Sequence, residues 1–136
     1  MNPKDYFNEL ELFVNAGRYP NERKVAHATY AVKTVDAFDE TVYGIQYHRT
    51  VVFAVRENGE YMINNGGYFT ATTKKRINDA LLKCGSGKQI VQRNKKWIMD
   101  GEQYESSFMF LFDCNHFLLA SNPVNCYAMP LSRTAN

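Results

Sequence analysis

The residue types best suited to chemistry fall in one stretch, Asn64 to Asn78. It runs from Gly66-Gly67 through Tyr68-Phe69 and the hydroxyls of Thr70, Thr72 and Thr73 to three consecutive cations, Lys74, Lys75 and Arg76. The chemistry such a run offers is capture of an anion. A helix starting here carries roughly half a positive charge at its first turn, with N–H groups that lack intrahelical partners. Acidic side chains are favoured in that position, and cations there oppose the dipole by a few tenths to ~1 kcal/mol. The arrangement makes sense if an anion sits at the site. Threonine hydroxyls, helix N–H groups and a glycine turn that permits close approach then form a phosphate cradle. The plainer reading is an ordinary threonine cap, at Thr72 or Thr73, with three solvated cations covering the helix start.

A second basic group follows. Arg93, Lys95 and Lys96 cluster beside Trp97 at the tip of an expected hairpin, with Lys88 at its base. Cations interleaved with an aromatic ring suit a single-stranded nucleic acid, the charges tracking the backbone and the rings stacking on bases. Tyr68 and Phe69 offer rings of the same kind. The competing reading places Trp97 in the core, where tryptophan is usually buried, and gives the lysines the task of guarding a sheet edge. Between Thr72 and Trp97 the net charge is +7, against −5 for the rest of the chain, so a formal total of +2 hides a strong segregation. Such a local positive field bears on partners rather than on fold.

Other chemistry finds little support. Gly66-Gly67 lacks the order of a nucleotide-hydrolysing phosphate loop. Asp113-Cys114-Asn115-His116 brings a cysteine near a histidine, but with Cys126 it matches no structural zinc spacing. In a strand, Cys114 and His116 would stand nearly 7 Å apart along the chain, too far for a nucleophile and its base. His27 and His48-Arg49 read as surface or capping residues. The carboxylates Asp36, Asp39 and Glu40 read as a helix end or a solvated loop. No catalytic set and no cofactor are expected.

These residues must be positioned by secondary structure. Asn2 caps and Pro3 opens a helix over residues 3–16, with Tyr6, Leu10 and Phe13 on one face, Phe7 and Val14 widening it, and Gly17 at the exit. Asn21 caps a second expected helix, whose Val25, Ala28 and Val32 face one way and which fades near Asp36. Strand-like sequence begins at Thr41, with Val42 to Tyr47 and Thr50 to Arg56. Asn58-Gly59 predicts a two-residue type I′ hairpin to Glu60–Asn64. Ile77, Ala80, Leu81 and Cys84 then carry the helical period over residues 72–84. Gln89 to Arg93 and Lys96 to Met99 form a hairpin turning at Asn94-Lys95, and Asp100-Gly101 is a further turn. Periodicity leaves strand and helix both open for residues 102–112. Val124 to Met129 reads as a last edge strand.

The expected architecture is α+β: two N-terminal helices, an antiparallel sheet of about five or six strands built from hairpins, and one helix between hairpins. A single domain over residues 1–136 divides into a helical part (1–38), a β-β-α-β-β core (41–99) and C-terminal strands with a tail (100–136). No apolar run approaches the ~20 residues that span a bilayer, and the N-terminus lacks the pattern of a signal peptide. The three cysteines, odd in number and without paired spacing, argue against a disulfide framework and for a cytoplasmic setting.

The block Gly66-Gly67-Tyr68-Phe69-Thr70-Ala71-Thr72-Thr73-Lys74-Lys75-Arg76-Ile77-Asn78 resembles a family of small proteins from tailed-phage and some bacterial genomes. Their shared pattern is Gly-Gly-Trp-x-Thr-x-Thr-Thr-Lys-x-Arg-x-Asn after a β-hairpin. Tyr47-His48-Arg49-Thr50-Val51-Val52-Phe53 and Lys95-Lys96-Trp97 fit the same layout, so the likeness covers about residues 47–99. Tyr68 stands where the pattern has tryptophan. The resemblance implies a phage accessory protein in the cytoplasm of an infected host, and it brings no activity with it. Three readings follow. One is nucleic-acid binding through Lys74, Lys75, Arg76, Arg93, Lys95 and Lys96, with Tyr68 or Trp97 stacking. A second is an inhibitor of a host protein, of the host-takeover or anti-defence kind. The third is a small anionic ligand such as a nucleotide, held at Thr72, Thr73 and Lys74.

Overall fold

A computed structural model gives the fold and describes residues 1–36, 38–99, 101–104, 108–112 and 127–130. The chain opens with helix α1 (Pro3–Asn15), whose start is a reciprocal cap. The Asn2 side chain accepts from the Asp5 N–H at 2.8 Å, and the Asp5 carboxylate accepts from the Asn2 N–H at 3.4 Å. Five strands then follow in antiparallel succession: β1 (Glu22–Ala26), β2 (Thr29–Val35), β3 (Thr41–Tyr47), β4 (Thr50–Arg56) and β5 (Tyr61–Asn64). Helix α2 (Ala71–Lys83) leads to a separate three-stranded sheet of β6 (Val91–Arg93), β7 (Lys96–Met99) and β8 (Glu102–Tyr104). Strand β9 (Phe108–Phe112) returns antiparallel to β5, and β10 (Tyr127–Pro130) lies parallel to β9 at the sheet edge. The larger sheet has the order β1-β2-β3-β4-β5-β9-β10.

The class is α+β with one helix between hairpins, as the patterning predicts. The second N-terminal helix is not formed. Residues 22–35 make the β1–β2 hairpin instead, and Ala28, expected on a helical face, sits in its turn at φ 50°. Val25, Ala28 and Val32 fit a helical period, but Thr29–Val35 is rich in β-branched and aromatic residues. It also pairs with β3 along its whole length, from Thr29↔Tyr47 to Val35↔Thr41. Sheet pairing, invisible to a local window, decides the outcome. Six strands of the larger sheet pair antiparallel, within the expected five or six, β10 adds a parallel seventh, and the hairpin bearing Trp97 belongs to a sheet of its own.

Both helices cover one face of the larger sheet. Tyr6 and Phe7 of α1 place their rings 5.5 Å from Phe53 and 5.1 Å from Tyr43, while Ile77, Ala80 and Leu81 of α2 join the same core. Strand β4 is buried along its entire length, which marks it as the central strand. Gly44 on β3 is forced by this closeness, because a Cβ there would stand 2.4 Å from the carbonyl oxygen of Phe53. Two turns differ in kind. Asn94 and Lys95 both take positive φ (52° and 65°), the signature of a type I′ turn. The β4–β5 turn is not type I′: Gly59 alone has positive φ (94°), and its N–H bonds the Arg56 carbonyl at 2.9 Å. This is a type I turn closed by a glycine bulge, held by Asn58, whose side-chain oxygen accepts from the Glu60 N–H at 3.0 Å.

A charged cluster lies inside this framework. Arg56, 1% exposed, donates from Nη2 and Nε to Asp36 Oδ2 at 2.5 and 3.0 Å, and from Nη1 to Glu60 at 3.2 Å. Asp36 Oδ1 accepts from the N–H groups of Phe38 and Glu40 at 2.8 and 3.1 Å. Asp36 thus organises the β2–β3 connection from within rather than ending a helix. Burial pushes its carboxyl up, but the Arg56 hydrogen bonds, the two backbone N–H groups and the Arg56 charge outweigh that, holding it below the usual carboxylate range.

Candidate functional site

One end of the larger sheet collects the turns that the sequence leaves scattered. The β1–β2 turn and the β3–β4 turn touch there, the His48 N–H donating to the Ala28 carbonyl at 2.8 Å. The loop between β5 and α2 closes over the same end. Asn64 and Asn65 shape it by accepting, through their side-chain oxygens, from the N–H groups of Gly66 and Gly67 at 2.8 and 2.9 Å. Gly66 has φ 61°, and a Cβ on it would lie 2.8 Å from the side chain of Thr50, so the loop is pressed against the start of β4.

These elements enclose a pocket of about 670 Å³. Ala28 and Tyr30 line one side, and Tyr47, His48, Arg49 and Thr50 line the second. Asn65, Tyr68 and Thr70 from the loop, with Thr73 of α2, line the third. Three tyrosines, a histidine and an arginine are therefore among the pocket's lining residues, and among the described residues no carboxylate is. Tyr68 is 61% exposed, and His48 and Arg49 are exposed beside it. The His48 ring lies 4.4 Å from that of Tyr47 and 6.4 Å from that of His27.

The helix start differs from the expectation in its register. The N-cap is Thr70, not Thr72 or Thr73: its Oγ1 accepts from the Thr73 N–H at 3.1 Å and lies 2.8 Å from Thr73 Oγ1. Lys74, Lys75 and Arg76 consequently fall beyond the first three helical positions, where the dipole argument for an anion weakens. They also diverge. Lys74 Nζ reaches Gln92 Oε1 at 3.3 Å, Lys75 pairs with Asp79 at 3.4 Å, and Arg76 Nε donates to Thr29 Oγ1 at 2.9 Å. Arg76 also lies 5.9 Å from the centre of the Tyr47 ring. Since Thr29 Oγ1 in turn donates to the His27 carbonyl at 2.6 Å, Arg76 ties α2 to both hairpin turns, outside the pocket's own lining. Thr72 is half-exposed and is not part of the lining.

The basic hairpin docks alongside. Trp97 is 1% exposed and belongs to the core, with its ring 4.9 Å from that of Phe69 and so turned away from any ligand. Asn78 clamps the approach to β6, donating to the Ile90 carbonyl at 2.9 Å and accepting from the Ile90 N–H at 2.8 Å. Arg93, Lys95 and Lys96 stay exposed at the tip. Of the residues singled out in the sequence, Tyr68, Thr70 and Thr73 meet in the pocket, Lys74 joins the hairpin, and Trp97 anchors that hairpin from below. Sequence reasoning missed Tyr30, Tyr47, His48 and Arg49 as lining residues. The signal for three of them was present, because Tyr47-His48-Arg49 forms part of the block that resembles the phage family. Cys114, His116 and Cys126 lie outside the described residues.

Among the described residues no helix is long and apolar enough to cross a membrane. A family model described as Kyanoviridae Gp96 protein matches residues 14–116, which takes in the whole pocket and the basic hairpin. No curated protein and no solved structure matches the chain.

Proposed function

This chain belongs to the Kyanoviridae Gp96 protein family, a phage family, and on that premise we propose that it binds single-stranded nucleic acid without altering it chemically. The observation that carries the reading is the docking of the basic hairpin against the glycine-rich loop. Phe69–Trp97 packing and the Lys74–Gln92 contact set Arg93, Lys95 and Lys96 beside the loop that presents the exposed Tyr68. Arg49 and His48 line the same pocket as Tyr68 and add polar, exposed groups to it. Charges that follow a backbone, with a ring between them for a base, are the elements of a strand-binding surface.

The test is fluorescence anisotropy with labelled single- and double-stranded DNA and RNA at two salt concentrations. Micromolar or tighter binding to single strands that collapses with salt is expected, because counterions are released as phosphates are neutralised. Replacing Arg93, Lys95 and Lys96 together with Ala removes three exposed cations and should lower the salt slope by about 2, at roughly 0.7 per phosphate for single strands. No binding at low salt refutes the reading and moves the search to a protein partner in the host. Binding with an unchanged slope removes the hairpin from the surface.

A further inference from the structure

We infer that the pocket at the end of the larger sheet takes one unstacked nucleotide, its base against the tyrosine rings and its phosphate at His48 and Arg49. This deepens the nucleic-acid reading and rests on it for the strand, although the pocket's own chemistry applies equally to a free nucleotide.

Size comes first. At about 670 Å³ the cavity falls in the range of roughly 300–1,000 Å³ that holds small molecules, and it exceeds what an inorganic anion needs. Its lining then narrows the class. Tyr30, Tyr47 and Tyr68 come from three separate elements, and aromatic faces stack on any base without regard to its identity. A bare phosphate would make no use of them. The same lining holds the exposed Arg49, whose planar fork of donors matches phosphate oxygens, and His48 next to it. Among the described residues no carboxylate lines the pocket, so the described lining carries no negative charge to repel an anion. An aromatic, uncharged ligand would leave the cation and imidazole unused. An aromatic anion uses both halves.

Several contacts tie down residues in and around the pocket, which lowers the ordering cost of binding. Arg76 holds Thr29 and the Tyr47 ring, Gly66 is pressed on Thr50, and the Thr70–Thr73 cap fixes the loop end. Tyr68 is the exception: it lines the pocket yet is 61% exposed, placing its ring at the mouth where a base would arrive.

The experiment follows backbone amide NMR shifts of the full chain during titration with each nucleoside 5′-monophosphate, and separately with inorganic phosphate. Beside it run anisotropy measurements on a short single strand and on the same strand carrying one abasic site. Tyr68→Ala and Arg49→Ala are the variants, both at exposed positions. Monophosphates should shift amides of residues 47–50 and 65–73, and phosphate alone should shift them far less. Tyr68→Ala should weaken strand binding by about fivefold to a hundredfold, and in that variant the intact strand should lose its advantage over the abasic one. Equal affinity for monophosphate and strand identifies a free nucleotide as the source, and strand binding at least about tenfold tighter identifies the strand, since charge along a chain adds affinity. Strand binding untouched by both substitutions, with no shifts at the pocket, overturns the inference and leaves the hairpin surface standing. Monophosphate binding without strand binding does the reverse. Shifts equally large with phosphate alone overturn the base-binding half.

Discussion

Replacement of Asp36 by Asn tests whether the buried charge cluster holds the sheet together. Asn has the same shape, so packing is preserved and only the charge and the donor pattern change. Asp36 now accepts on both oxygens: from Phe38 and Glu40 N–H on Oδ1, and from Arg56 twice on Oδ2. An amide that keeps the backbone bonds turns its NH₂ donor toward the guanidinium donors. Arg56, 1% exposed at the end of the central strand, loses its close pairing with Asp36 and keeps its contact with Glu60, itself 25% exposed. Breaking a buried pair by removing one partner costs about 3–5 kcal/mol, and the surviving Glu60 contact points to the lower end, about 3 kcal/mol. At an unfolding entropy near 2.1 cal/mol/K per residue, that lowers the Tm of 136 residues by about 10 °C. Thermal unfolding by circular dichroism and urea titration with linear extrapolation measure it. The double replacement Asp36→Asn with Arg56→Met should cost less than Asp36→Asn alone, since the guanidinium left without its partner is gone while the amide oxygen still accepts from the Phe38 and Glu40 N–H groups. A loss under about 1 kcal/mol for Asp36→Asn, or a double variant less stable than the single, refutes the assignment. Acid adds a check. Because the folded Asp36 carboxyl is held low, its contribution is present above the unfolded value of about 3.9 and disappears as pH falls through the folded one. The wild type should therefore lose more stability below about pH 4 than Asp36→Asn does.

Thr70→Ala should cost about 1 kcal/mol by removing the cap of α2, whereas Thr72→Ala should stay within about 0.5 kcal/mol; chemical denaturation of both distinguishes the two registers. Tyr43 is fully buried and, among the described residues, its hydroxyl has no hydrogen-bond partner, so Tyr43→Phe should match or exceed the wild type, by up to about 1 kcal/mol; a clear loss in the same assay shows that the hydroxyl is satisfied. Burial raises the ionisation of Tyr6, Tyr43 and the Cys84 thiol above their ordinary values. The unfolded chain therefore loses these protons first, and stability should be full below about pH 8.5 and decline as pH rises beyond it; a flat profile from pH 8 to 11 contradicts their burial.

What the sequence determined by itself is local. The bounds of α1 follow from Asn2, Pro3 and Asp5, groups within three residues of one another that satisfy the helix start on their own. The body of α2 follows from Ile77, Ala80 and Leu81, and the β6–β7 turn from Asn94-Lys95, because helical period and turn chemistry act over a few residues. The α+β class and the strands β3, β4, β5, β6 and β7 were legible for the same reason. Tertiary structure decided the rest. Residues 22–35 carry a period compatible with a helix, and only their pairing with β3 makes them strands. Thr70 rather than Thr72 caps α2 because the loop from Asn64 to Phe69 is held by Thr50 and Trp97. Asp36 and Arg56, 20 residues apart, meet only when the sheet forms. The pocket is the clearest case. Tyr47, Arg49, Tyr68 and Thr73 fall in the stretches that resemble the phage family, but nothing along the chain says that they and Tyr30 meet, and strand register brings their turns to one end of the sheet.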